Sequence, residues 1–211
     1  SNPGLYPTYA ILDYKLTESL SMKISITTLM DALSHSLESI WNKNKSYKTI
    51  EYAIEAIVLI INNSKNIHNQ KFTKKNRKNL LYASTLAGLA FSNTKTAIAH
   101  SISYPLTMLY KIPHGIASSI TLVPILIQSE NKIKDELEKI YKKLKIENLQ
   151  EFINKITSIY NNQISYKLQD WGIKKEDLPL LVKKCYTKDR IENFIININE
   201  DHMLKILKDI Y

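Results

Sequence analysis

Apolar residues recur at steps of three and four positions along most of this sequence, which is the pattern of amphipathic helices. The first such stretch follows Thr27 or Thr28, either of which can cap a helix. The apolar positions that predict its buried face are Leu29, Leu33, Leu37, Ile40 and Trp41. Asp31 and His35 belong to the same predicted helix.

The same periodicity predicts further helices downstream. Two of them cover Thr49–Ile61 and Lys74–Ala90. A third restarts at Ser92 or Asn93 and is broken by Pro105, and Pro113 opens a short apolar helix. The charged C-terminal part carries four more amphipathic stretches, over Asp135–Leu144, Leu149–Tyr160, Glu176–Cys185 and Glu200–Ile210.

One short run, Tyr9–Asp13, is apolar and ends on a turn-forming Asp, as a buried strand does. No second run offers it a partner, and a strand cannot stand alone. The sequence has four glycines in 211 residues, too few for the many tight turns that connect the strands of a β-rich fold. We therefore predict an all-α fold with one short N-terminal strand, and a domain boundary between residues 1–13 and a helical domain over 14–211.

The chain is basic, with 29 Lys and Arg against 20 Asp and Glu and a net charge of +9. Such a balance admits nucleic acid, an acidic membrane surface or anionic substrates as partners. The charges are scattered, however, and the densest run, Lys71–Lys78, has no interleaved aromatic platform for bases. Only two basic residues are arginines, Arg77 and Arg190. We expect no nucleic-acid partner.

A single cysteine, Cys185, cannot form an internal disulfide, so the sequence does not require an oxidising compartment. No apolar run approaches the roughly 20 residues of a membrane span, and the first residues lack the pattern of a signal peptide. These features predict a cytoplasmic protein with no membrane partner. His68 and His202 lie in polar surroundings and are expected to be solvated.

Candidate chemistry begins with Asp31 and His35, which lie four residues apart on one helix face, close enough to bind one ion. Such a pair is also a common hydrogen bond or salt bridge. His100 lies among apolar and small residues, so it should be buried and in need of a partner. His114 follows Pro113 at a helix start. Each histidine taken singly also fits a hydrogen-bonded core residue.

Taken together, Asp31, His35, His100 and His114 form the nitrogen and oxygen set that suits Fe²⁺ or Zn²⁺. Catalysis at four protein ligands requires a fifth position for a substrate oxygen, which Fe²⁺ takes readily and Zn²⁺ can reach. Gly115 leaves room beside His114 for a substrate or another backbone segment. Glu38 is expected to orient a ligand or to pack at the helix end rather than to bind the metal.

Several segments share signature residues with the iron-containing (group III) alcohol dehydrogenases: Met30–Glu38, Ala87–Asn93, His100 and Pro113–Gly115. They occur in the order and spacing of that family, and the resemblance covers nearly the whole chain. It implies a C-terminal helical domain of the dehydroquinate synthase-like type. In that family an aspartate and three histidines hold the metal, a role that the resemblance carries over to the four predicted ligands.

The resemblance also implies a dinucleotide-binding α/β half before the helices. None of the four glycines forms a Gly-rich phosphate loop, so the chain resembles a separated C-terminal domain that begins with the last strand of that half. The intact enzyme implied is an NAD(P)H-dependent alcohol dehydrogenase that transfers hydride between the nicotinamide and a small aldehyde, and that can form a homodimer. We expect this chain alone to have little or no activity.

One position departs from the family pattern. Many members have a second histidine four residues after the third metal ligand, where this chain has Tyr104. The segment Asn93–Thr107 resembles instead the branch of phosphonoacetaldehyde reductases, which form 2-hydroxyethylphosphonate. Lys95, within two helical turns of His100, can supply positive charge to a phosphonate or be a surface lysine. Tyr104 can hydrogen-bond the alcohol oxygen or merely pack.

Two other classes of function stay open. An all-helical metal-dependent hydrolase also uses His and Asp ligands, with a metal-bound water as nucleophile, although this sequence lacks the adjacent His-Asp dipeptide that such phosphohydrolases tend to carry. A non-catalytic interaction module is compatible with the charged C-terminal helices.

Overall fold

Helices account for almost all regular structure in the computed structural model, which describes residue 4 and residues 6–65, 72–160 and 164–211. The α-helices in these ranges are α1 (Met22–Ile40), α2 (Tyr47–Ser64), α3 (Lys74–Thr94), α4 (Ile98–Tyr110), α5 (His114–Ala117), α6 (Leu122–Ser129), α7 (Lys134–Leu144), α8 (Leu149–Ser158), α9 (Leu178–Cys185), α10 (Lys188–Ile191) and α11 (Glu200–Asp209). Within the same ranges the only β pairing is an isolated bridge between Asn42 and Phe194. The predicted all-α class is confirmed.

The predicted strand over Tyr9–Asp13 is wrong for this structure. These residues form no strand, and the side chains of Tyr9 and Ile11 are 88% and 93% exposed. An isolated extended segment gains no ladder hydrogen bonds, and none of the described segments pairs with this one. Asp13 does form a turn, because its carboxylate accepts from the backbone N–H of Lys15 at the start of a 3-10 helix over Tyr14–Thr17.

Helix α1 begins earlier than predicted. Ser21 is the N-cap, and its hydroxyl accepts from the backbone N–H of Ile24. The hydroxyls of Thr27 and Thr28 instead donate to backbone carbonyls one turn back within the helix. The predicted cap was misplaced because the apolar residues at the start of α1, Met22, Ile24 and Ile26, alternate with polar ones and do not show the helical period.

Helix α4 also departs from the prediction, because it continues through Pro105 to Tyr110. Ile102 and Leu106 on either side of this proline are fully buried, so core packing holds the helix together where a proline would otherwise break it. The predicted restart at Ser92 or Asn93 is wrong as well, since α3 extends to Thr94 and α4 begins at Ile98.

One apolar core spans the described part of the chain, and α1 lies near its centre in contact with α2, α3, α4 and α5. Most residues of α1 are buried, as expected of a helix that is covered on several sides. Capping boxes at Ser46 and Thr73 fix the starts of α2 and α3. None of the helices in the described ranges is long and apolar enough to cross a membrane.

Three lysines have left-handed backbone conformations where helices end: Lys95 (φ 64°), Lys111 (φ 57°) and Lys145 (φ 55°). They are the C-caps of α3, α4 and α7, a position that glycine usually occupies. His202 is exposed, as predicted, in the first turn of α11. His68 lies outside the described residues.

Candidate metal centre

Three helices bring the predicted ligands together: α1 carries Asp31 and His35, α4 carries His100, and α5 begins with His114. The Nε2 atom of His100 lies 3.7 Å from Oδ1 of Asp31, and Nε2 of His114 lies 3.8 Å from the same oxygen. One ligand atom from each of these three residues lies within 4.8 Å of the others. A single cation at bond lengths of about 2 Å can contact all three.

His35 borders this group of three. Its Nδ1 lies 3.9 Å from Oδ2 of Asp31, and its ring stacks between Phe91, at 4.1 Å between ring centroids, and His100, at 4.4 Å. The structure thus brings all four predicted ligands into one cluster, with Asp31, His100 and His114 closest together.

Glu38 positions His100. Its carboxylate is fully buried, and Oε2 accepts from Nδ1 of His100 at 2.7 Å and from the backbone N–H of Ala97 at 2.9 Å. This leaves Nε2 of His100 facing Asp31, buried and with no hydrogen-bond partner. A buried nitrogen without a hydrogen-bond partner, on a ring oriented by a carboxylate at its other nitrogen, is the arrangement of a metal-bound histidine. The donors present therefore fit a divalent metal.

Helix α5 approaches α1 so closely that only glycine fits at position 115. A Cβ on Gly115 would lie 2.0 Å from the backbone oxygen of Thr27. Of the two occupants expected beside Gly115, the structure shows another backbone segment. Ser118 adds a second link, because its hydroxyl donates to Oδ1 of Asp31 at 2.9 Å.

The charges in the cluster depend on one another. Burial by itself would raise the pKa of Asp31, but the neighbouring His100 and His35 imidazoles lower it to about 2. Burial opposes the charged form of His100, yet the Glu38 and Asp31 carboxylates raise its pKa to about 9. Burial and the charge of His100 lower the pKa of His35 to about 4. Without metal, a proton on His100 thus balances part of the buried negative charge.

The cluster is accessible from the His114 side. Side-chain exposure rises from 4% at His100 and 28% at Asp31 to 44% at His114. The ring of Tyr104 lies on this open side, 6.2 Å from the His114 ring. The Tyr104 hydroxyl accepts a hydrogen bond from Nη2 of Arg190 at 3.0 Å. Sequence reasoning missed Arg190, for which the only signal was its rarity among many lysines.

Lys95 lies elsewhere. It is the exposed C-cap of α3 and lies outside α4, so its predicted helical spacing from His100 is wrong. The left-handed backbone at this residue turns the chain between the two helices. Lys95 lines a cavity of about 470 Å³ together with Thr96, Asp189, Arg190, Glu192 and Asn193, and none of the four predicted ligands lines it.

The sequence matches a family profile and curated relatives over much or nearly all of its length. The profile of the Fe-containing alcohol dehydrogenase family, C-terminal, matches residues 25–211. The NADPH-dependent butanol dehydrogenase of Clostridium saccharobutylicum is 29% identical over 220 residues, which cover 99% of this chain and 56% of that protein. The 1,3-propanediol dehydrogenase of Citrobacter freundii is 34% identical over 136 residues, which cover 63% of this chain and 35% of that protein.

Solved structures have the same fold. The sulfoacetaldehyde reductase from Bifidobacterium kashiwanohense in complex with NAD⁺ superposes with a TM-score of 0.89 at 25% identity, over 99% of this chain and 55% of that one. A 1,3-propanediol oxidoreductase gives a TM-score of 0.85 at 25% identity, over 94% and 55%. The chain thus spans about half the length of the butanol dehydrogenase and of the sulfoacetaldehyde reductase. On the evidence of its helical fold, its ligand cluster and the profile match, the chain belongs to the iron-containing alcohol dehydrogenase family and corresponds to its C-terminal domain.

Proposed function

We propose that this chain is the metal-binding part of an NAD(P)-dependent alcohol dehydrogenase or aldehyde reductase, with Asp31, His35, His100 and His114 as ligands of Fe²⁺ or Zn²⁺. The observation that carries the proposal is the convergence of one carboxylate and two imidazoles on a point where Nε2 of His100 is buried without a partner. Family membership supports an oxidoreductase and lends no support to the hydrolase or interaction-module alternatives.

The residues of this chain prepare the site for a carbonyl group. Glu38 fixes the His100 ring and Ser118 holds the Asp31 carboxylate, so two of the ligands are oriented before a metal binds. Burial of His100 and His35 keeps water from their side of the cluster, and a substrate enters past His114. A divalent metal bound here would supply Lewis acidity to the carbonyl oxygen while NAD(P)H delivers hydride to the carbon.

The substrate that we propose is a small aldehyde with an anionic group, of the phosphonoacetaldehyde type, which is reduced to an alcohol such as 2-hydroxyethylphosphonate. Hydride from NAD(P)H and one proton from solvent complete that reduction. The resemblance of Asn93–Thr107, with Tyr104 in place of a histidine, supports this choice. So does the similarity to a sulfoacetaldehyde reductase, since a sulfonate and a phosphonate are both tetrahedral anions on a two-carbon aldehyde.

Metal content tests the proposed site. Protein purified without oxygen should contain iron or zinc in a stoichiometric amount, measured by elemental analysis. The His100→Ala variant should lose that metal, because Asp31 and His114 would remain without the oriented imidazole between them. His202→Ala removes an exposed histidine at the start of α11 and should leave the metal content unchanged. A His100→Ala protein that kept its metal would refute the assignment.

A further inference from the structure

We propose that Arg190 binds the anionic group of the substrate at the open side of the metal cluster, and that Tyr104 holds the guanidinium in place. The ligand class is a phosphonate or sulfonate attached to a short aldehyde or alcohol. The inference rests on the proposed function, because it assigns the substrate contact of that same site to a residue that neither the family match nor the sequence pattern singles out.

A row of three side chains links the metal cluster to the guanidinium. The His114 and Tyr104 rings lie 6.2 Å apart, and the Arg190 guanidinium lies over the Tyr104 ring, 4.4 Å from its centroid. Its Nη2 also donates to the Tyr104 hydroxyl at 3.0 Å. Stacking and this hydrogen bond together fix the plane of the guanidinium. Tyr104 thus has His114 of the cluster as one neighbour and the Arg190 guanidinium as another, so all three side chains belong to the open side of the site.

Most of the hydrogen-bonding capacity of Arg190 stays available. A guanidinium has five N–H donors, and among the described residues Tyr104 is its only hydrogen-bond partner and no carboxylate forms an ion pair with it. The nearby Glu192 carboxylate lies 3.9 Å from Nζ of Lys188 instead. A planar guanidinium with free donors can bind two oxygens of a tetrahedral anion at once.

The backbone under Arg190 is tied to the helix that carries His100. The buried Ser101 hydroxyl donates to the carbonyl of Cys185 and accepts from the backbone N–H of Thr187 at 3.0 Å. The Asn193 amide donates to the carbonyl of Thr96 at 2.9 Å. The backbone is thus held on both sides of Arg190 against α4 and the turn that precedes it, so the fold fixes the backbone position from which Arg190 extends.

Lys95 is less suited to this role than the sequence suggested. It is exposed, and among the described residues no hydrogen bond, ion pair or aromatic ring fixes its ammonium group, whereas Tyr104 fixes the guanidinium of Arg190. Asp189 and Glu192 line the cavity that Lys95 and Arg190 share, so they do not distinguish the two residues. The other arginine, Arg77, is already engaged with the Ser25 hydroxyl and the Leu20 carbonyl. Arg190 is therefore the arginine of this chain that has both position and free donors for a substrate anion.

Phosphonate binding tests the inference. The chain is titrated with methylphosphonate, which has no hydroxyl group for a metal, and with 2-hydroxyethylphosphonate, each followed by phosphorus NMR. Arg190→Gln should weaken methylphosphonate binding by about tenfold or more, because a charged hydrogen bond is lost, and Arg190→Lys should lie between. Lys188→Gln removes a charge from the same short helix and should bind like the parent chain. Thermal unfolding of both Gln variants checks that each is folded.

The two probes separate the inference from the proposed function. Equal methylphosphonate affinity of the parent chain and Arg190→Gln would overturn the inference, as would a loss that appears in Lys95→Gln instead. If the metal-loaded chain binds 2-hydroxyethylphosphonate no better than methylphosphonate, the proposed contact between metal and alcohol is refuted. The comparison of methylphosphonate binding between the parent chain and Arg190→Gln still tests the role of Arg190 in that case. We expect both phosphonates to bind more weakly to Arg190→Gln than to the parent chain. We also expect 2-hydroxyethylphosphonate to bind more tightly than methylphosphonate only when metal is present.

Discussion

Glu38 shows how much one buried carboxylate can determine in this fold. All three of its hydrogen bonds go to the first turn of α4, from the backbone N–H groups of Ala97 and His100 and from Nδ1 of His100. Ala97, the N-cap of α4, has no side chain that could accept these donors. Glu38 of α1 therefore takes the place of a capping residue, stabilises the positive end of α4 and orients His100 at the same time.

Replacement of Glu38 by Gln should lower the affinity for Zn²⁺ by about 10- to 100-fold, because an amide NH₂ cannot accept from the donors that now orient His100. Competition with a chromophoric chelator measures this affinity. Glu136→Gln is the matched control, since Glu136 is also buried but pairs with Lys45 of a different region at 2.6 Å and not with a residue of the cluster. Unchanged affinity in Glu38→Gln would show that Glu38 serves only as a helix cap.

The stability of the metal-free chain should depend on pH through the same cluster. The pKa of His100 is raised from 6.5 to about 9, so its stabilisation is complete below pH 6.5 and is lost as the pH rises through about 9. The pKa of His35 is lowered from 6.5 to about 4, which makes stability rise with pH between those values. The lowered pKa of Asp31 adds stability that is lost as the pH falls through about 2.

The free energy of unfolding should therefore be greatest near pH 6.5 and fall on the order of a few kcal/mol towards alkaline pH. Urea denaturation in the presence of a chelator, repeated across this range, measures it. His202→Gln should keep the alkaline fall and His100→Gln should lose it. A parent chain with constant stability on the alkaline side would contradict the charged state assigned to His100.

The clustering of the candidate ligands could be predicted from the sequence in part. Asp31 and His35 share a helix face by spacing, but each histidine alone also fitted a core residue, and the four were joined by their donor types taken together and by the family resemblance. Arg190 could not be found in this way, because its contact with Tyr104 joins residues 86 positions apart. Tertiary packing decides whether a basic side chain has unpaired N–H donors, and the spacing of apolar residues in the sequence carries no information about it.

Among the helices of the site, the shortest one depends most on its packing against a neighbour. Helix α5 spans only His114–Ala117, so it cannot hold its own position and depends on its close approach to α1 at Gly115. The sequence predicted a helix start at Pro113 but could not specify this approach. Likewise, α4 continues through Pro105 because the residues on either side of this proline are buried in the core. Local helix propensity does not predict that burial.

Gly115→Ala should displace α5 and with it His114, because the added Cβ would lie 2.0 Å from the Thr27 carbonyl oxygen. Metal affinity should fall by at least tenfold, as for loss of a ligand, and overpacking should cost about 1–3 kcal/mol of stability. Gly88→Ala is the control, since a Cβ at Gly88 meets nothing within 4 Å. In a helix interior that change should stabilise the chain by about 0.5–1 kcal/mol. Full metal affinity in Gly115→Ala would contradict the packing argument.

For the whole molecule, metal binding and folding should be coupled, because the ligands come from α1, α4 and α5 and converge only in the folded state. Zn²⁺ at about 100 times its Kd should stabilise the chain by about 2.7 kcal/mol and raise the Tm by roughly 5–10 °C. Calorimetry with and without chelator measures the shift. Ca²⁺, which prefers oxygen ligands, should produce little change, and an equal shift with both ions would count against a nitrogen-rich site.

The three left-handed lysines have a consequence for how this chain can evolve. A side chain in that conformation costs about 1–2 kcal/mol, and Lys111 and Lys145 are exposed C-caps that do not belong to the ligand cluster. Glycine at either position would recover part of that cost. Glycine at these two helix ends would therefore add stability that could offset a destabilising substitution elsewhere in the chain, without any change to the four candidate ligands.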